Sequence, residues 1–90
     1  MNKERNIHTK LITTLDLPQD LFLGLPNICL SGNKEFYTSN HQGILSYDET
    51  EVHVLVKDFQ IQIKGKGQQI FSYSRDELTI RGFIRSIEFM

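Results

Sequence analysis

From Asn27 onward apolar and polar residues alternate with a period of two, the pattern of strands buried on one face. "ICLSG" (28–32) sets Ile28 and Leu30 against Cys29 and Ser31, then reaches a turn at Gly32-Asn33. "EFYTSN" (35–40) predicts a second strand, followed by a loop through Asn40, His41 and Gly43. "VHVLV" (52–56) places Val52, Val54 and Val56 on one face and His53 and Leu55 on the other. The next apolar positions, Phe59, Ile61 and Ile63, are odd-numbered, so the phase has slipped by one. Such a slip exchanges the two faces, and it requires a turn or bulge at Lys57-Asp58. "GKG" at 65–67 predicts the next turn, and "QIFSY", "ELTIRG" and "IRSIEF" predict the remaining strands.

Upstream the pattern differs. Ile7, Leu11 and Leu15 form a weak helical stripe in a polar stretch, so residues 1–15 read as flexible or weakly helical. "DLPQDLFLG" (16–24) predicts a short helix. Asp16 and Gln19 form a capping box, Pro18 occupies the first turn, and Gly24 closes the last. Leu17, Leu21 and Phe22 would cover an apolar surface, and Leu25-Pro26 forces an extended exit.

The chain also repeats itself. When 44–63 is laid on 70–89, Ile44/Ile70, Ser46/Ser72, Tyr47/Tyr73, Glu51/Glu77 and Ile61/Ile87 are identical. Val52/Leu78, Val54/Ile80 and Ile63/Phe89 keep their apolar character, and both copies lose phase at the same place, near Lys57-Asp58 and near Phe83-Ile84. Phe59/Arg85 breaks the match, and two copies are fewer than a solenoid needs. These elements predict a mainly β, single-domain meander or roll over residues 16–90, with about seven or eight short strands and a recurring strand-turn-strand unit behind a short N-terminal helix.

Size and charge narrow the function. Ninety residues make one small domain, and a formal net charge of −1 argues against a nucleic-acid binder, whose affinity comes from neutralised phosphates. Cys29 is the only cysteine, which excludes an intrachain disulfide and a thiolate cluster. Neither a signal peptide nor a run of about 20 apolar residues is visible, so a cytosolic protein is expected.

Candidate chemistry is sparse. Cys29 with His41 or His53 lacks a third orienting group, and a passive thiol is the simpler reading. His8, His41 and His53 lack metal-ligand spacing, and Asp48-Glu49 and Asp76-Glu77 read as solvated turn residues. "KGKG" (64–67) has no Walker pattern. No enzyme activity, cofactor or metal is therefore expected. Phe36, Tyr37, Tyr47, Phe71 and Tyr73 could form a base-stacking platform if a basic groove lay beside them. An open sheet also has edge strands that invite another chain unless charges such as Lys57, Arg81 and Arg85 guard them; use of the edges for self-association is the expectation here.

Several of these features, in their order and spacing, resemble the YabP/YqfC family of sporulation proteins of endospore-forming bacteria. They are Asp16-Leu17-Pro18, Pro26, Gly32-Asn33, Asn40-His41, Gly43-Ile44, Tyr47, "IKGKG" (63–67), Asp76-Glu77, Gly82 and Ile87-Glu88-Phe89. Gln68-Gln69 departs from the more apolar entry to the following strand expected in the family. The resemblance implies a small non-enzymatic protein made in the mother cell and encoded beside a membrane protein of the same programme. It leads us to expect a scaffold or adaptor in spore-envelope assembly, peripheral at the forespore surface, that binds itself or a sporulation membrane protein. Asn33, Asn40, His41, Tyr47 and Tyr73 are its candidate interaction residues. The alternative is a small β-barrel that binds single-stranded nucleic acid or a small ligand through Tyr47, Tyr73 and Phe71.

Overall fold

A computed structural model of the protein describes residues 24–90. The helix expected over 16–24 and the stripe before it fall outside these residues, Gly24 apart. Six antiparallel strands form one sheet: β1 (Ile28–Ser31), β2 (Glu35–Ser39), β3 (His41–Tyr47), β4 (Glu51–Val56), β5 (Phe59–Tyr73) and β6 (Glu77–Phe89). Their spatial order is β1-β2-β6-β5-β4-β3. Four of the five pairings join sequence neighbours; β2 with β6 is the exception.

The short hairpins follow local chemistry. Gly32 turns the chain between β1 and β2 at φ 56, with Lys34 N–H donating to the Ser31 carbonyl (3.2 Å). Lys57-Asp58 reverses it between β4 and β5, with Val56 opposite Phe59 and Asp58 at φ 73. The phase slip in the sequence is this reversal.

Strands β5 and β6 form a hairpin of 15 and 13 residues that serves both halves of the molecule. The beginning of β5 lies between β4 and the end of β6, with Ile61 opposite both Val54 and Phe89. The beginning of β6 lies between β2 and the end of β5, with Ile80 opposite both Phe36 and Ile70. Between the halves the ladder is irregular at Lys64/Gly65 and Lys66/Gln69. There the strands approach so closely that a Cβ on Gly65 would fall on the Phe83 carbonyl oxygen. One on Gly82, at φ 150, would lie 2.7 Å from the Gln68 Cα. Only glycine allows this crossing.

The irregularity folds the sheet on itself. Phe36, Leu78 and Ile80 from one half and Val52, Val54, Ile61 and Ile63 from the other are all fully buried in a single cluster. A flat sheet could not bury them without a second layer, and here each half is the other's cover. Each such side chain contributes about 1.5–3 kcal/mol relative to exposure. The result is an open roll rather than a closed barrel, because β1 and β3 remain as edges.

Three expectations need correction. "GKG" is not a turn, because β5 continues through 65–67, with Gly65 and Lys66 paired to Ile84 and Phe83 and Gly67 in the irregular step before Gln69. "QIFSY" therefore belongs to β5, "ELTIRG" and "IRSIEF" merge into β6, and the described residues hold six strands instead of about seven or eight. The loop expected at 40–43 is confined to Asn40 (φ 55), and His41 already pairs with Val56. The departure from the family pattern at Gln68 is accommodated in place: its side chain is fully buried, with Nε2 donating to the Ile63 carbonyl at 3.2 Å.

Candidate functional site

The bend in the long hairpin leaves a trough on the outer surface. Lys66 lies opposite Phe83 and Lys64 opposite Ser86, so these four side chains share one face. Arg85 has no partner in the ladder and is the extra residue of the bulge. Two adjoining hollows result, of about 440 and 590 Å³. Asn33, Phe83 and Ile84 line the first, while Thr50, Glu51, Lys64 and Ser86 line the second; Lys66 and Arg85 border both.

The electrostatics are one-sided. Lys64, Lys66 and Arg85 form no ion pair with a described residue, whereas Arg81 pairs with Glu35 at 2.9 Å. Lys34 Nζ lies 5.5 Å from the centre of the Phe83 ring, which is 54% exposed. Glu51 stands directly opposite Lys64 and is the one carboxylate of the lining; its Oε1 accepts from Gln62 Nε2 at 2.7 Å and lies 3.2 Å from His53 Nε2. The trough can therefore take up negative charge beside an exposed phenyl ring.

The residues singled out from sequence divide. Asn33 lines the trough, and its carbonyl accepts from Ile84 N–H at 2.7 Å. Asn40 is a corner residue, with Nδ2 donating to the Leu25 carbonyl at 2.9 Å. His41 is buried, donates from Nε2 to the Ser74 carbonyl at 2.7 Å, and packs its ring 5.0 Å from that of Tyr73. The Tyr47 hydroxyl donates to the Gln68 carbonyl at 3.0 Å. His41 and Tyr47 thus latch edge strand β3 onto the far half of β5, where no ladder joins them.

Phe71, Tyr47 and Tyr73 do not flank the trough. Phe71 instead lies beneath the Arg81 guanidinium, 3.4 Å from the ring centre. A turn at "GKG" (65–67) hides the trough, because only in a continuous strand do Lys64 and Lys66 share a face. The bulged position of Arg85 had one visible sign: it is where the repeat fails, opposite Phe59.

Two ionisable groups are perturbed. Hydrogen bonds from the Thr50 hydroxyl and the Thr50 and Glu51 backbone N–H groups hold Asp48 below its ordinary 3.8. Desolvation first, and then the bond to Glu77 Oε2, raises Tyr37 above 10.0. Both are turn and strand-end effects with no link to the trough. Cys29 is exposed and unpaired. Among the described residues no group of three or more His, Cys, Asp or Glu could hold a metal, and no helix is long and apolar enough to cross a membrane.

Comparison with known proteins supplies the relationship. The model of the YabP family matches residues 25–90, the whole roll. The "uncharacterized protein YqfC" of Bacillus subtilis (strain 168) is 31% identical over 80 residues, covering 89% of this chain and 86% of its own. No solved structure matches significantly. With a match across nearly every described residue and a relative aligned over most of its length, the chain belongs to the YabP family.

Proposed function

We propose that this YabP-family chain is a non-enzymatic sporulation protein that serves as a scaffold or adaptor in spore-envelope assembly. It works by self-association or by holding a membrane-protein partner at the forespore surface. The observation that carries this reading is the exposure of large apolar side chains on so small a domain. Leu30, Leu45, Phe71, Phe83 and Phe89 are all more than half exposed. Exposed side chains of this size give a second molecule apolar surface to bury, and the reading is that some of them are used in this way.

The two edges are not equally suited to a second chain. Strand β3 carries register shifts at His41/Gly43 and Ile44/Ser46, which spoil it as a template. Strand β1 pairs regularly with β2 through all four residues and presents Leu30 and Cys29 to solvent. Self-association through β1 follows.

The test is the oligomeric state of the purified protein together with the position of a functional fluorescent fusion during sporulation. A concentration-dependent dimer that Leu30→Lys abolishes, with a fusion at the forespore boundary, supports the reading. A monomer at every concentration and a diffuse fusion would remove it. Cys29→Ser should leave heat-resistant spore counts unchanged; a loss would reopen an enzymatic role for the thiol.

A further inference from the structure

We infer that the trough at the bend of the β5–β6 hairpin docks the protein on an anionic phospholipid surface. The shared chemistry is a phosphate group taken up by Lys64, Lys66 and Arg85, and the source is the lipid headgroup. The inference stands on charge distribution and ring exposure, and it does not depend on the adaptor reading.

Charge is segregated over the described residues. Residues 24–90 contain seven Lys or Arg and eight Asp or Glu. Four of the seven, Lys34, Lys64, Lys66 and Arg85, line the trough or overhang its Phe83 ring, while Glu51 is the one carboxylate among its lining residues. Among the described residues, the rest of the surface holds three Lys or Arg against seven Asp or Glu and is acidic. A molecule polarised in this way turns its basic face toward a negative plane and keeps the rest away from it.

The trough cations have unspent binding capacity. No side chain of Lys64, Lys66 or Arg85 makes an ion pair or hydrogen bond with a described residue. They outnumber the one carboxylate of the lining, Glu51, which already accepts from Gln62, and an external anion relieves their mutual repulsion.

The exposed ring selects the kind of anion. Phe83 projects from the centre of these cations at 54% exposure. An apolar ring ringed by cations suits the boundary between headgroups and acyl chains, where ring and charges are satisfied at different depths. A nucleic acid fits less well. Phe71 and Phe83 each carry a cation over the ring, which a stacking base would have to displace. The acidic remainder of the molecule would also repel the flanking phosphates of a long strand.

The experiment is co-sedimentation of the full chain with vesicles of phosphatidylcholine alone, and of phosphatidylcholine mixed with phosphatidylglycerol. Binding to the mixed vesicles only, falling steeply as salt rises, is expected. Lys66→Gln should weaken partitioning about fivefold, the effect of one surface charge, and the Lys66→Glu/Arg85→Glu double variant should reduce it to background. Phe83→Ser should weaken binding but keep its salt dependence. Lys66→Glu alone should weaken binding more than Lys66→Gln does, whereas Arg75→Glu, with the same charge change but away from the trough, should bind nearly as the parent does.

All these side chains are exposed, and thermal melts verify folding of each variant. Phosphate should compete no better than chloride at equal ionic strength. The inference is overturned by equal partitioning to both vesicles, by no binding at low salt, or by an Arg75→Glu defect as large as that of Lys66→Glu. Tighter binding to a single-stranded oligonucleotide or an oligoglutamate peptide than to vesicles would overturn it in favour of those partners. Any of these results leaves the oligomer and fusion tests of the adaptor reading unaffected.

Discussion

In residues 44–63 the chain runs to Tyr47, turns, and sets out again at Glu51; in residues 70–89 it runs to Tyr73, turns, and sets out again at Glu77. The two turns are hydrogen-bonded alike. Asp48 N–H donates to the Glu51 carbonyl at 2.9 Å, and Ser74 N–H donates to that of Glu77 at 2.8 Å. Glu51 N–H donates back to Asp48 Oδ1 at 2.9 Å, and Glu77 N–H to Ser74 Oγ at 3.1 Å. Past Val56 and Gly82 the copies part. The first reverses through Lys57-Asp58 into β5, while the second continues through Phe83-Ile84 as one bent strand, with Arg85 as the bulge. Local grammar is thus shared, and the difference lies in the pairing each third segment must satisfy. In the first copy it must return beside β4. In the second it must reach across to the beginning of β5, and a glycine crossing lets it do so. The candidate site lies where the second copy abandons the pattern of the first.

The bend offers the largest way to break this comparison. Gly65→Val would drive a side chain into the Phe83 carbonyl, and a loss above about 4 kcal/mol is expected, seen as failure to unfold cooperatively in urea. A folded Gly65→Val protein would mean that the two halves can part at the bend. Next come the equivalent core positions. Ile80→Ala should cost about 3–4 kcal/mol and Val54→Ala about 2–3, both by urea denaturation, since each is fully buried. A near-zero cost at either one would show that its half is not covered by the other.

Smaller effects sharpen the comparison. Tyr47→Phe, which frees the Gln68 carbonyl, should cost about 1 kcal/mol and raise hydrogen exchange in β3 before the rest of the sheet. The matched turns should differ in acid. The folded chain holds Asp48 below its unfolded value, so the unfolded chain binds the proton more readily and stability falls as pH drops from near 4 through the depressed value. Asp48→Ser, which copies Ser74, should flatten this part of the pH profile, read as urea midpoints between neutral and acid pH. The smallest effect is at Asp58. Asp58→Gly relieves φ 73 at the reversal, and a change within about 1 kcal/mol in the stabilising direction is expected from thermal melts.

Much of the fold was legible because it is local. Alternation at Val52, Val54 and Val56 and the slip to Phe59, Ile61 and Ile63 gave the β4–β5 hairpin, and the parallel slip near Phe83-Ile84 is the bulge. The length of β5 and β6 was not legible. Gly65 and Gly67 carry the usual mark of a turn, and only the nearness of Phe83, distant in sequence, makes them a crossing. The site failed to appear for the same reason. Lys64, Lys66 and Arg85 become neighbours through pairing across the bend, while His41 and Tyr47, conspicuous in the sequence, are fasteners of the β3 edge. Family membership was legible in the spacing of Gly and Asn residues among others, since Gly32 and Asn40 hold turns and Gly65 and Gly82 hold the crossing in place.

The one pairing between strands distant in sequence, β2 with β6, also sets the order in which the fold can be completed. On a growing chain the β1–β2 hairpin emerges with an apolar face and no partner, because Phe36 must wait for Ile80. The meander from β3 through β6 closes only short loops and can form by itself, so β1–β2 is expected to dock last. Destabilising changes near Phe36 should then speed unfolding and leave the refolding rate almost unchanged in stopped-flow measurements, and those at Ile61 should slow refolding. During synthesis the waiting hairpin is the segment most exposed to mispairing with a second chain.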